Sequence, residues 1–296
     1  MLPSWYSDYK SFIDKSIESY LKTYFNNKVC IGSEKFKDII LYATKGGKRI
    51  RSIFALEIYL IFSNKPLSTL DRDDDIVKFI ISLECMHAYS LIHDDLPCMD
   101  DDEYRRGELT TWKKFGEYQA VLAGDLLNTL SFEILSQISD PKIAISLVQL
   151  LSSHTGFYGM VGGQVDDMYF ECNKEALTHD NLVGLHNKKT GALIKSSIIG
   201  ALIVANSNSD IEKYSIFGEK IGLAFQIKDD ILDIEGSLKD TGKSVGGEKK
   251  GFVHFMGLEK TKKELEALIE YCLNSAKELN SEKLEFIVRY IGERKR

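Results

Sequence analysis

The 296-residue sequence contains four prolines. With Leu, Ile, Glu and Lys abundant, so few forced breaks favour a helical chain. Its five cysteines (Cys30, Cys85, Cys98, Cys172 and Cys272) include no CxxC pair and are odd in number. That argues against a disulfide framework or a zinc site and for reduced thiols in a cytosol. There is no excess of positive charge: 38 basic against 44 acidic residues give a net −6. A nucleic-acid partner is therefore not expected, because nothing is in surplus to neutralise its phosphates. The opening Met-Leu-Pro-Ser-Trp-Tyr-Ser-Asp lacks the basic end and apolar run of a signal peptide. No uninterrupted apolar stretch reaches about 18 residues; the longest candidate, Gly191–Ala205, carries Lys195 in its middle. A soluble protein without a membrane span is expected.

Low-complexity tracts, clear repeats and Pro/Gly/Ser linkers are missing as well, as is strand-like alternation flanked by Asn-Gly or Asp-Gly turns. Helical periodicity runs nearly throughout. It predicts helices at about 8–25, 34–44, 48–62, 75–94, 117–137, 142–160, 179–186, 191–206, 210–234, 258–277 and 281–293. One all-α domain over residues 1–296 is the simplest reading. Ile76–His93 is apolar almost all round, with Glu84 and His87 as its strongly polar interruptions, so it belongs in the middle of a bundle. Asp73, Asp74 and Asp75 before it read as N-capping and dipole complementation.

Against this background three clusters carry chemistry. The first is Asp94-Asp95-Leu-Pro-Cys-Met-Asp100-Asp101-Asp102-Glu-Tyr-Arg105-Arg106-Gly107. Carboxylates packed so closely repel one another unless a cation neutralises them. Hard oxygen donors point to magnesium or calcium, and two arginines offer a fork for phosphate; a solvated acidic loop is the plain alternative. The second is Gln226-Ile-Lys228-Asp229-Asp230-Ile-Leu-Asp233, whose polar members recur at i, i+3, i+4 and i+7 on one helix face. A lone DDxxD is weak, but this one follows the first by 135 residues and again ends an apolar helix. The third, Gly46-Gly47-Lys48-Arg49-Ile50-Arg51, places two glycines before a basic helix start, where backbone can approach an anion. Weaker pieces are Lys189-Thr190-Gly191, Gly162-Gly163-Gln164-Val165-Asp166-Asp167 and Lys239-Asp240-Thr241-Gly242-Lys243, the GGQ stretch also reading as packing glycines inside a helix pair.

Together these strings resemble the trans-isoprenyl diphosphate synthases. GGKRIR is similar to that family's isopentenyl-binding element. DDLPCMDDDEYRRG is similar to its first aspartate-rich motif, in the form with two extra residues including Pro97, and FQIKDDILD to its second. The wider ECMHAYSLIHDDLPCMDDDEYRRG, followed by FGEYQAVLAGDLL, resembles bacterial farnesyl diphosphate synthases, and the likeness covers about residues 40–260. It implies a single large helical bundle, the isoprenoid synthase fold, around a deep central apolar cavity. It implies condensation of isopentenyl diphosphate with an allylic diphosphate (dimethylallyl or geranyl) to make farnesyl diphosphate, in a cytoplasmic homodimer.

Residue by residue, the resemblance implies that Asp94, Asp100 and Asp229 hold three Mg²⁺ on the allylic diphosphate, with Asp95 and Asp233 in support and Mn²⁺ able to substitute. Arg105, Lys189 and Lys243 would contact the same leaving group. Gly47, Lys48, Arg51, His87 and Arg106 would hold isopentenyl diphosphate, and Thr190 and Gln226 would offer dipoles to the carbocation. Tyr89 and Ser90, one turn before Asp94, would set chain length; an aromatic at Tyr89 together with Pro97 goes with a C15 product, geranylgeranyl diphosphate being the alternative. At about 100° per residue, Ser90 lies within about 40° of Asp94 and Tyr89 about 140° away.

The family usually has a longer Lys-rich flap after Gly246 than the residues 247–254 found here, and the basic end Arg294-Lys295-Arg296 reads as a frayed terminus, with folding over a diphosphate as the alternative. Rival readings are weaker. A terpene cyclase would need neither GGKRIR nor DDILD. A His-Asp metal phosphohydrolase, built on His87, His93-Asp94 and His154, leaves both strings unexplained, and a regulatory subunit should have lost aspartates.

Overall fold

The computed structural model describes residues 2–26, 30–207, 209–235 and 251–294. It is helical almost throughout and divides into two compact units. Unit one comprises residues 1–148 with 203–205, and unit two residues 149–202 with 206–296.

Unit one opens with α1 (Ser4–Tyr24), α2 (Ser33–Thr44), α3 (Ile50–Ser63) and α4 (Asp75–Asp94). A two-stranded ribbon, β1 (Tyr104–Arg105) with β2 (Glu108–Leu109), follows, then α5 (Thr111–Phe115) and α6 (Glu117–Leu135). Helix α7 (Pro141–Thr155) leads out of the unit. Helix α4 packs on α6, α3, α1 and α2, and Ile76, Val77, Phe79, Ile80, Ile81, Leu83, Cys85 and Met86 are all essentially inaccessible. Each such side chain contributes roughly 1.5–3 kcal/mol by leaving water. By length and composition α4 could cross a membrane, but its apolar surface is spent inside this unit. The capping position falls on Asp74, as the acidic triplet predicts, yet its carboxylate accepts from the amide of Asp71, not from the helix. Asp75 instead ties α4 to the connection before α7 through the amide and hydroxyl of Ser139.

Unit two contains α8 (Met160–Cys172), α9 (His179–His186), a π turn (Asn187–Gly191), α10 (Ala192–Val204) and α11 (Ile211–Glu235). It closes with α12 (Phe252–Met256), α13 (Leu258–Glu278) and α14 (Glu282–Glu293). Helix α11 is its hub, touching the π turn, α9, α12, α13 and α14. Hydroxyl caps start two of these helices: Thr178 accepts from Asn181 N–H at 3.2 Å and Ser281 from Leu284 N–H at 3.1 Å.

Periodicity anticipates most of these helices to within a few residues. Helix α8 escapes it, because Gly162-Gly163 and two aspartates interrupt the apolar pattern. The ribbon escapes it too: its two-residue turn is Arg106-Gly107, both at positive φ (56° and 79°), where an Asn-Gly or Asp-Gly pair is the usual signal.

Candidate active site

In unit one the Gly-Gly-Lys-Arg string forms a strap between α2 and α3. Gly46, Gly47 and Arg49 all have positive φ (80°, 86° and 55°), so the chain reverses within four residues. Arg49 pins it. Its Nη2 donates to the carbonyl of Thr44 at 2.7 Å, its Nε to Asp14 at 2.8 Å and its Nη1 to Glu84 at 2.6 Å. Glu84, buried in α4, also accepts from Ser52. The hydroxyl of Tyr6 donates to the carbonyl of Lys48 at 2.6 Å, fixing the strap's other side.

The strap meets the first aspartate motif through two basic groups. Arg51 Nη1 lies 3.3 Å from His87 Nε2, one turn from the strap on α3 and two turns from Asp94 on α4. The guanidinium of Arg106 covers Gly47 so closely that a Cβ there would sit 2.9 Å from its Nη1. Burial holds His87 well below its ordinary value of 6.5, and Arg51, Arg106, Arg105 and Arg49 push the same way. The imidazole is therefore neutral at pH 7, and beside it Arg51, with Arg106 over the strap, makes a cationic nest suited to a polyvalent anion.

The aspartate motif itself divides. The amide of Asp100 donates to the carbonyl of Asp94 at 2.9 Å, closing residues 94–100 into a loop with Pro97 and Cys98 exposed at its tip. That closure makes the two aspartates backbone neighbours despite five intervening residues. Asp95 instead turns inward and takes Arg105 at 2.7 Å (Nε) and 2.5 Å (Nη2). The I′-type ribbon turn accounts for the different fates of Arg105 and Arg106: one points into the protein, the other stands on the strap.

In unit two, Lys189 and Thr190 lie on the π turn, and Lys189 Nζ donates to Asp167 on α8 at 2.6 Å. Gln226, Asp229 and Asp233 are partly exposed on α11. Asp230 is buried and accepts the amide of Phe252 at 2.6 Å, fastening α12 to α11. Arg294, the described member of the basic end, is not frayed. Arg294 is buried, pairs with Asp229 at 2.9 Å, donates to the carbonyl of Phe225 at 2.8 Å and stacks 3.8 Å above that ring. Such stacking on an aromatic face suits a guanidinium and explains why this residue is held. Lys243 and residues 247–250 lie outside the described residues.

Tyr89 leans on His93, ring centroids 4.9 Å apart, and His93 Nε2 lies 3.1 Å from the carbonyl of Val121 on α6. Tyr89 thus stands on the α6 flank of α4, as its angular offset from Asp94 requires. Ser90 donates to the carbonyl of His87 within its own helix. Among the described residues, no three His, Cys, Asp or Glu side chains gather into a ready-made metal site. The histidines of the phosphohydrolase reading are spent separately: His87 on Arg51, His93 on Val121, His154 on Ser196 at 2.8 Å.

Sequence reasoning missed Arg49, Asp167, Asp230 and Arg294 as organisers of the site. Glu84, an acid inside an apolar helix, was the available signal for Arg49, since a buried carboxylate demands a partner. For Arg294 the signal was its place in the basic end Arg294-Lys295-Arg296, which reads first as a frayed terminus.

The polyprenyl synthetase family model matches residues 33–291. A farnesyl diphosphate synthase of Micrococcus luteus is 41% identical over 281 residues, covering 90% of this chain and 92% of that protein. One from Escherichia coli is 40% identical, covering 82% of each. Among solved structures, an FPP/GFPP synthase from Zymomonas mobilis superposes with a TM-score of 0.85 at 32% identity, over 98% of this chain and all of that one. A Helicobacter pylori geranyltransferase, solved with magnesium and isoprenyl diphosphate, gives a TM-score of 0.79 at 32% identity, over 97% and 95% of the two chains. The fold is the all-α isoprenoid synthase fold, and the chain belongs to the polyprenyl synthetase family.

Proposed function

We propose that this protein is a farnesyl diphosphate synthase, a trans-prenyltransferase that condenses isopentenyl diphosphate with dimethylallyl or geranyl diphosphate. The observation that carries the reading is the nest in unit one, where Arg51, His87 and Arg106 converge on the Gly47 strap beside the Asp94–Asp100 loop. A cyclase has no use for a second anion site next to its aspartates.

In this reading Gly47, Lys48, Arg51, His87 and Arg106 bind the isopentenyl diphosphate. Asp94, Asp100, Asp229 and Asp233 address the allylic diphosphate through Mg²⁺, three ions per site, with Mn²⁺ able to substitute. The donor set fits magnesium: the carboxylates are hard oxygen donors, and among the described residues they form no closed cage, since Mg²⁺ prefers one or two carboxylates with water and substrate phosphates. Bound magnesium supplies charge stabilisation for the departing diphosphate. Arg105 steadies the motif from Asp95, and Lys189 and Lys243 contact the leaving group. Thr190 and Gln226 turn dipoles on the allylic cation, and the proton lost after condensation passes to the diphosphate.

One cytoplasmic domain, acting as a homodimer, completes the reading; Tyr118, Val121 and Leu122 give α6 an exposed apolar face that a second copy would cover. The test is incubation with labelled isopentenyl diphosphate and geranyl diphosphate in Mg²⁺, extraction into organic solvent, and chromatography. A C15 diphosphate is expected. Mainly C20 product would make it a geranylgeranyl diphosphate synthase, and no elongation, or full turnover in EDTA, would sink the assignment.

A further inference from the structure

Residues 179–204 run as one helix interrupted by the π turn Asn187–Gly191. A π turn inserts a residue and widens the helix, and its persistence needs surroundings that prefer it. Here the surroundings are two glycine seats. A Cβ on Gly163 of α8 would fall 2.7 Å from the Cα of Lys189, and closer still to its amide nitrogen. On α11, a Cβ on Gly222 would fall 2.5 Å from the Cα of Gly191. The backbone of the turn is therefore gripped by α8 at one end and α11 at the other, at distances no larger residue permits. One helical turn beyond Gly163, on the same face of α8, Asp167 receives the Lys189 ammonium at 2.6 Å. Helix α8 thus holds Lys189 twice, by backbone and by side chain. The neighbouring Lys188–Asp166 pair is more exposed and lies on the outside. One turn beyond Gly222, the same face of α11 carries Gln226.

We propose that Gly163, Gly222 and Asp167 are positioning residues that hold the π turn in the geometry aiming Lys189 and Thr190 at the allylic diphosphate; this rests on the roles proposed above for those two residues. The glycines set where the turn sits and Asp167 sets where the ammonium points. None of the three need touch substrate. An error of about 1 Å in such a group costs on the order of 10²-fold in rate.

The test uses the full-length enzyme with labelled isopentenyl diphosphate, geranyl diphosphate and Mg²⁺, reading kcat, both KM values and the thermal midpoint. Asp167→Asn, nearly isosteric, should lower kcat at least about 10-fold, the scale of weakening one electrostatic group. It should leave KM for isopentenyl diphosphate within about twofold, and Asp167→Glu should recover part of the loss. Gly163→Ala should lower kcat by about 10²-fold. Because Asp167 acts through Lys189, Asp167→Asn/Lys189→Ala should be no slower than Lys189→Ala alone. A merely structural role would shift the thermal midpoint and leave kcat per folded enzyme unchanged. If Lys189→Ala is impaired while Asp167→Asn keeps the wild-type kcat, or if the two losses multiply in the double variant, the inference falls and the reading of Lys189 stands. Wild-type kcat in Lys189→Ala would overturn that reading and the inference with it.

Discussion

Replacing Arg49 by Met should be among the most damaging single changes outside the apolar core, although Arg49 touches no substrate in the proposed mechanism. Its guanidinium is the counter-charge of Glu84, and both side chains are nearly inaccessible, at 7% and 4% exposure. Arg49→Met would leave a carboxylate deep in α4 with the Ser52 hydroxyl donating to it and the Arg106 guanidinium as a nearby charge, but without its direct ion-pair partner. Breaking one partner of such a pair costs about 3–5 kcal/mol. Asp14, at 34% exposure, recovers water and adds little. With a urea slope of about 3 kcal/mol/M, the denaturation midpoint should fall by roughly 1–1.7 M. The second variant discriminates. In Arg49→Met/Glu84→Leu no buried charge remains, and a well-packed apolar replacement is often neutral, so the double variant should recover most of the midpoint. A midpoint unmoved in Arg49→Met, or losses that simply add in the double variant, would refute the account. The same bond network closes the strap, so KM for isopentenyl diphosphate should rise in Arg49→Met while KM for the allylic substrate changes little.

The remaining expectations are briefer. His87 titrates well below 6.5 in the folded protein, mainly through burial, and His154 is pushed down to about 4 by burial and Lys195; between 6.5 and each folded value only the unfolded chain takes up the proton, so stability should fall by up to about 1.4 kcal/mol per histidine for each pH unit, for His154 down to about pH 4. His87→Asn should flatten the loss between pH 6.5 and 5.5 in denaturation midpoints, and an unchanged slope would show that His87 is not the titrating group. Arg294→Gln frees Asp229 of a cationic competitor, so half-maximal activity should need roughly 2–5-fold less Mg²⁺, the scale of losing about 0.5–1 kcal/mol of ion pairing; a higher requirement would make Arg294 a helper of metal binding. Tyr89→Ala removes the ring that leans on His93 and should lengthen the product towards C20, whereas an unchanged C15 chain would place the cavity floor elsewhere.

Most of the helical scaffold was legible because burial writes itself as periodicity. Helix α4 announces its central place by being apolar on every side, and α13 and α14 by alternating faces. Helix α8 was illegible for a physical reason: its glycines are there to let another backbone in, and a residue chosen for having no side chain leaves no pattern. The aspartate motifs were legible as clusters, since crowded carboxylates are costly without a purpose. Their division of labour was not. Asp229 and Asp230 are adjacent in sequence, and only the packing of α12 shows that one faces Arg294 while the other is sealed against Phe252.

That division recurs in four like-charged doublets of the motifs. In Asp94-Asp95, Arg105-Arg106, Lys48-Arg49 and Asp229-Asp230, one member is turned inward and bound to the protein's own groups. The inward members are Asp95 on Arg105, Arg105 on Asp95, Arg49 on Glu84 and Asp230 on the Phe252 amide. Neighbouring residues diverge by about 100° on a helix and about 180° on a strand, so a doublet at the edge of a core must place its members in different surroundings. Two like charges side by side would repel each other if both stayed bare. Tying one to an internal counter-charge or amide relieves that repulsion and fixes the backbone, which in turn fixes the second. The inward member is thus the physical reason its neighbour can be held ready for a diphosphate or its metal. A motif written as a pair of identical charges is, in three dimensions, an anchor and a working group.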